Sequence, residues 1–282
     1  MTCAICRATH MGYLPDRLDN NSMSVSCEDA ERENLPILAI LRRWLIGRTS
    51  IVEIEQHYLV ASVLSEHCAV MDLGANMGRF SKQVVARFGC SVLAVEPEQA
   101  NFEAIPEHPK LRKLQVAVGG KCGRSGIRIS SDSTGHRLNS PGSVETAIEQ
   151  VVTVHDFSSL IALAGVKGID VMKIDVEGSE WDLLDSMSDE QLKSVGQLTI
   201  EFHGFLPEYR ETNRTWVNYQ RLMRLGFRCI EDPKFGSYNV LFVNRRLKIG
   251  KLADRVLLPL LGTLLRIQWK LSRLRKCFFR SA

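Results

Sequence analysis

Five short apolar runs, each ending in a glycine or an acidic residue, alternate with helix-patterned segments. The runs are CAVMDLG (68–74), CSVLAVEPE (90–98), KLQVAVGG (113–120), IDVMKIDVEG (169–178) and QLTIEFHG (197–204). Near-continuous apolar character over so few residues fits a strand buried on both faces. Between them lie RFSKQVVARFG, a short helix near 98–105, FSSLIALAG (157–165), SEWDLLDSM and RTWVNYQRLMRLG (214–226). Such alternation requires crossover connections and therefore a parallel sheet with helices on both faces. The last two runs, FRCIED (227–232) and SYNVLFVN (237–244), are separated by four residues. So short a link permits only an antiparallel hairpin. The expected fold is α/β: a doubly wound, mostly parallel seven-stranded sheet that ends in an antiparallel C-terminal hairpin.

The remaining sequence divides around this body at 68–246. Residues 1–33 are polar, with DNNSMS as a breaker cluster, and read as a flexible N-terminal segment. Residues 34–67 are expected to form a helical cap from PILAILRRWL (36–45) and SIVEIEQHYLVASVLSEH (50–67), the second opened by a Ser50/Glu53 capping box. The stretch 119–143 is rich in Gly and Ser. No run approaches the roughly 18–20 apolar residues of a membrane span, and the first thirty residues show no secretory h-region. Eight cysteines scattered through 282 residues suit reduced thiols in the cytoplasm better than a disulfide framework. The Cys3-Ala-Ile-Cys6 pair lacks two further ligands at zinc-site spacing.

In an open α/β sheet the ligand lies beyond the carboxyl ends of the strands, so the exit of the first strand is the place to look. There the chain reads Asp72-Leu-Gly74-Ala-Asn76-Met-Gly78. A dinucleotide loop would carry three glycines in G-x-G-x-x-G. This loop carries two, and a carboxylate at Asp72 would repel a pyrophosphate but suit an ammonium group. Asn76 tolerates a left-handed backbone and offers both a donor and an acceptor. Glu96, at the tip of the second strand, is placed to accept from ribose hydroxyls. A ribose and an ammonium group without phosphate describe S-adenosylmethionine.

VMDLGANMGRFS, AVEPE, VAVGG, VMKIDVEGSEWDLL and LTIEFHG together resemble the FkbM-type family of S-adenosylmethionine-dependent methyltransferases over roughly 68–244. KIDVEGSE is the most specific of these elements. The resemblance implies the class I, Rossmann-like methyltransferase fold, whose last strand is antiparallel. It implies O-methylation of a carbohydrate or secondary-metabolite hydroxyl, and favours Asp175 and Glu177 as lining of the cofactor and acceptor site. The residues themselves suggest cofactor contacts from Asp72, Gly74, Asn76, Gly78 and Glu96, with backbone groups from Ala117 to Gly119 against the adenine. TVHDFSSL departs from the family pattern by placing His155 in an apolar slot.

Methyl transfer to a hydroxyl needs collinear alignment and a base for the departing proton. Asp175, Glu177, Glu201 and His203 sit at the fourth and fifth strand tips, and a neutral imidazole makes His203 the expected base, with Asp175 and Glu177 lining the reacting groups. The same four side chains could instead hold Mg²⁺ against a vicinal diol, although no metal ligand set is demanded by their spacing. Residues 124–150 and FLPEYRETNRTW (205–216) are expected to form the acceptor pocket, with Trp216 as packing. The alternatives are a cofactor-binding scaffold without turnover and a dinucleotide oxidoreductase. The expected partner is a small molecule or glycan. No nucleic-acid partner is expected, since the body is acidic: residues 247–282 carry nine Lys/Arg against Asp254, leaving the remainder at −4. That basic tail reads either as a membrane-surface helix at the inner face of a membrane or as a helix packing its leucines on the domain.

Overall fold

The computed structural model describes residues 36–128, 137–138, 150–166, 168–206, 209, 211–232 and 236–279. Its centre is a seven-stranded sheet. In chain order the strands are β3 (Ala69–Leu73), β4 (Ser91–Val95), β5 (Leu111–Leu114), β10 (Val171–Ile174), β11 (Gln197–Glu201), β12 (Phe227–Asp232) and β13 (Gly236–Asn244). Their spatial order is β12-β13-β11-β10-β3-β4-β5. β5, β4, β3, β10 and β11 run parallel, and β13 pairs antiparallel with both β11 and β12. Five parallel strands closed by a hairpin is the architecture expected from the sequence. The strand order reverses between β3 and β10, which opens a crevice at their carboxyl ends.

Each central strand serves both faces. Met71, Leu73, Leu93 and Val95 enter one core with residues of α4 (Phe157–Ala164), α5 (Glu180–Ser186), α6 (Asp189–Ser194) and α7 (Thr212–Arg224). Val70, Val92 and Ala94 enter the opposite core with Phe80, Val84 and Val85 of α2 (Arg79–Phe88). α3 (Gln99–Ala104) is short, and the Glu98 carboxylate caps it by accepting from the Ala100 and Asn101 N–H groups. The remaining helices are α1 (Pro36–Ile46) and α8 (Leu252–Phe279). They pack with β13 residues Leu241 and Val243 in a third cluster.

The cap differs from expectation. α1 is a helix, but 51–60 form a hairpin of β1 (Ile51–Ile54) and β2 (His57–Val60), followed by a 3₁₀ turn at Ala61–Val63. Ser50 makes no capping box: its N–H and hydroxyl donate to the Asp254 carboxylate instead. The β-branched Ile51, Val52, Ile54 and Val60 favour the pleated conformation, and Ile54, Leu59 and Val60 are buried against the sheet.

The run 113–120 also divides. β5 ends at Leu114, and β6 (Ala117–Val118) joins a second sheet, ordered β6-β9-β7-β8 with β7 (Gly123–Arg128), β8 (Arg137–Leu138) and β9 (Gln150–His155). His155 lies on β9 opposite Val118. Segment 1–33 with its Cys3/Cys6 pair, and most of the acceptor segment 124–150, lie outside the described residues.

Candidate active site

The glycine turn at the end of β3 has the conformation its residues suggest. Gly74, Asn76 and Gly78 all adopt positive φ, at 76°, 49° and 73°. Asn76 stabilises that conformation by accepting the Met77 N–H on its own Oδ1. Gly74 is sterically required as well, because a Cβ there would stand 1.7 Å from the Asp175 carbonyl oxygen. The turn walls an open cleft lined also by Glu96, Asn101, Ala117, Val118, Ile127, Asp175 and Glu177.

Glu96 faces this turn. Its carboxylate accepts the Asn76 N–H at 2.8 Å and the Glu98 N–H at 2.9 Å, and burial pushes its pKa up to about 7. Asn101, which the sequence reading did not single out, lines the cleft with its buried Nδ2 lacking a hydrogen-bond partner. An unpartnered amide donor, a carboxylate at the strand tip and an apolar wall from Val116, Val118 and Ile127 suit a nucleoside. Asp175 supplies negative charge for a cationic centre. The cleft therefore fits S-adenosylmethionine.

Asp72 is not where the sequence reading put it. It is fully buried behind the turn and does not line the cleft. Ser81 Oγ donates to it at 2.7 Å, and the Lys173 ammonium lies 3.2 Å from its other oxygen. The carboxylate expected to meet a ligand ammonium instead anchors a buried lysine. Lys173 projects from β10 between the two acids, donating to the Gly74 carbonyl at 2.7 Å and lying 3.2 Å from Asp175. Burial would lower its pKa, but Asp72 and Asp175 outweigh this and hold it above the ordinary value. Burial would likewise raise Asp175, yet the Lys173 ammonium and His57 keep it well below the usual carboxylate range. A lysine inside the apolar run VMKI was a legible signal, since a buried cation requires carboxylate partners.

Beyond Asp175 the strand tips converge on two histidines. His203 donates from Nδ1 to Glu180 Oε1 at 2.9 Å, and its Nε2 lies 3.2 Å from Glu177. Glu180 is fully buried and also accepts the Gly178 N–H. Burial alone would make His203 neutral, but Glu180, Glu177 and Asp175 raise its pKa to about 10. At neutral pH it is an imidazolium with both nitrogens engaged, which corrects the expectation of a neutral base. Glu177 reaches it from a left-handed backbone (φ 49°) followed by Gly178 (φ 98°), whose missing side chain admits the Tyr209 ring. Trp216 packs on Phe205 and Tyr219, as expected.

Glu201 at the end of β11 is the most open of these carboxylates, 32% exposed. Burial, followed by the neighbouring Asp175 charge, raises its pKa to about 7. His57 arrives from β2, where sequence reading expected a helix. Its Nδ1 lies 3.1 Å from Thr199 Oγ1 and its Nε2 3.7 Å from Asp175, and burial lowers its pKa so that it is neutral.

Two sets, His57/Asp175/Glu201 and Asp175/Glu177/His203, bring candidate ligand atoms within 4.8 Å of one another. In the second, a cation would have to displace the proton that His203 holds between Glu180 and Glu177. In the first, Asp175 is also engaged by the Lys173 ammonium, 3.2 Å away and shared with Asp72.

Residues 72–229 match the family described as Methyltransferase FkbM domain. No curated protein sequence matches. Among solved structures, WbdD bound to the kinase inhibitor LY294002 is 12% identical over 66% of this chain and 37% of that one, with a TM-score of 0.38. The Methanococcus jannaschii fibrillarin pre-rRNA processing protein is 14% identical over 72% and 84%, with a TM-score of 0.39. A TehB-like SAM-dependent methyltransferase from Corynebacterium glutamicum is 11% identical over 77% and 98%, with a TM-score of 0.36. The chain spans less than half the length of the WbdD chains it matches.

Proposed function

The chain belongs to the FkbM methyltransferase family, and on that premise we propose that it methylates a hydroxyl oxygen of a small molecule or glycan, with Glu201 as the general base. Bound in the cleft, S-adenosylmethionine supplies an electrophilic methyl carbon on a sulfonium. Glu96 and the Asn101 amide hold the nucleoside, and the ionised Asp175 faces the positive centre. Glu201, titrating near 7, would take the hydroxyl proton as the oxygen–carbon bond forms and the carbon–sulfur bond breaks, leaving the neutral thioether S-adenosylhomocysteine; a base of that pKa is most effective at neutral pH. The His203 imidazolium orients Glu177 and keeps the local charge from becoming excessively negative. The carrying observation is the pairing of a carboxylate that titrates near neutrality with one locked in its ionised form, both at strand tips beside the cleft. The unbridged thiols of Cys68, Cys90 and Cys122 favour a cytoplasmic site of action.

The test begins with calorimetric titration of S-adenosylhomocysteine, with NADH as comparison. Wild type binds the thioether nucleoside, and Glu96→Gln weakens it roughly tenfold, the cost of about one charge-assisted hydrogen bond. Binding of NADH in its place overturns the cofactor assignment. Methylated products are then sought by mass spectrometry across sugars, glycans and hydroxylated metabolites. Cofactor binding with no transfer to any hydroxyl favours the scaffold reading. Turnover lost in EDTA and restored by Mg²⁺ would assign His57, Asp175 and Glu201 to a cation.

A further inference from the structure

We propose that α1 and α8 together form a surface that lies on an anionic lipid membrane, independently of the methyl-transfer reading. α8 has two apolar stripes rather than one. Leu258 and Leu261 are buried against Ile230, Leu241 and Val243. Asp254 on the same side is buried and accepts from Ser50 and Ser62. The second stripe, Leu252, Val256, Leu260 and Ile267, follows helical spacing and is exposed, with Leu252 at 73%. α1 packs beside α8 and also turns its Leu45 into the same cluster. Both helices thus contribute to one cluster on one face of the sheet. α1 exposes Ile40, Leu41 and Trp44. Among the described residues, seven of the ten large exposed hydrophobics lie on these two helices.

Charge identifies the occupant. Residues 36–50 hold three arginines and no acid, and residues 245–282 hold eleven Lys/Arg and one acid. That acid, Asp254, is buried. Arg43, Arg48, Lys248, Lys251 and Arg255 are exposed, and the Arg48 guanidinium stacks 3.6 Å from the centre of the Trp44 ring. The rest of the chain is left at −9 against a total of +4, so an anionic surface attracts this face and repels the others. Apolar side chains rimmed by cations, with an amphipathic aromatic among them, match the headgroup–acyl boundary. A nucleic acid would use the cations and gain nothing from the leucines. Among the described residues no helix is long and apolar enough to cross a membrane, so the contact is along the surface.

The experiment floats the full chain with vesicles of phosphatidylcholine, with and without phosphatidylglycerol. Wild type is expected to partition at least roughly tenfold better onto the anionic vesicles, with salt weakening the contact. Leu252→Glu/Leu260→Glu, and independently Ile40→Glu/Trp44→Glu, each reduce partitioning roughly tenfold while S-adenosylhomocysteine binding is unchanged. Two results overturn the proposal. One is absence of vesicle binding, whether or not light scattering reveals a dimer that the leucine variant dissociates. The other is vesicle or RNA binding that both apolar variants retain, which would mark adsorption through charge alone.

Discussion

Glu201 and His203 stand two residues apart and meet opposite electrostatic fates. Three carboxylates around His203 convert a buried imidazole into a cation, whereas Asp175 and burial make Glu201 reluctant to ionise. The profile of kcat/KM should therefore rise with pH through about 7 as Glu201 deprotonates and fall through about 10 as His203 loses its proton. Glu96 also titrates near 7, so the affinity for S-adenosylhomocysteine measured across the same range separates binding from chemistry. Glu201→Gln should lower kcat by roughly 10²–10⁴, the usual contribution of a general base, and leave cofactor binding intact. Unchanged turnover in that variant would remove Glu201 from the mechanism. At this scale the left-handed backbone at Gly74, Asn76 and Gly78 and the position of Glu96 beside the turn were legible, because they follow from residue type and from place at a strand tip. Asp72 was misread because its partner, Lys173, lies a hundred residues away and only packing brings them together.

The β1–β2 hairpin is the element that most changes the site. It replaces an expected helix and delivers His57 to Asp175. Helical patterning in 50–67 was real but weak. The ladder from Ile51↔Val60 to Ile54↔His57 prevails because β2 can pack on β11 and β13, where Val60 N–H donates to Gln197 Oε1. Its two-residue turn, Glu55-Gln56, holds both residues at positive φ, 47° and 64°. This is the primed geometry that Asn-Gly prefers, and neither native residue is suited to it. Glu55→Asn/Gln56→Gly is expected to stabilise the protein by about 1 kcal/mol in urea unfolding, with kcat unchanged. Destabilisation would show that the turn residues contribute through contacts rather than backbone geometry.

Across the whole molecule, Asp254 ties α8 to the segment between α1 and β1 and to the 3₁₀ turn that follows β2. Asp254 accepts the N–H and hydroxyl of Ser50 and the hydroxyl of Ser62, and these bonds hold its pKa below the ordinary value against burial. Asp254→Ala removes these charge-assisted bonds from the half-buried Ser50 and the exposed Ser62 and should cost about 1–3 kcal/mol of stability. Because the folded pKa is depressed, the gap from wild type is full above about pH 4 and closes as pH falls further. Equal stability of the two proteins at neutral pH would show that α8 is held by its leucines alone.

The chain order of the seven main-sheet strands, the closing hairpin and the glycine turn were determined by the sequence alone. Each depends on local periodicity, loop length or allowed backbone angles, all of which are properties of neighbouring residues. The tertiary structure alone decided the second sheet, the arrival of His57, the burial of Asp72 against Lys173, the protonation of His203 and the exposure of the outer stripe on α8. These depend on which residues distant in sequence lie within a few ångströms and on how much water remains between them, and periodicity carries no record of either.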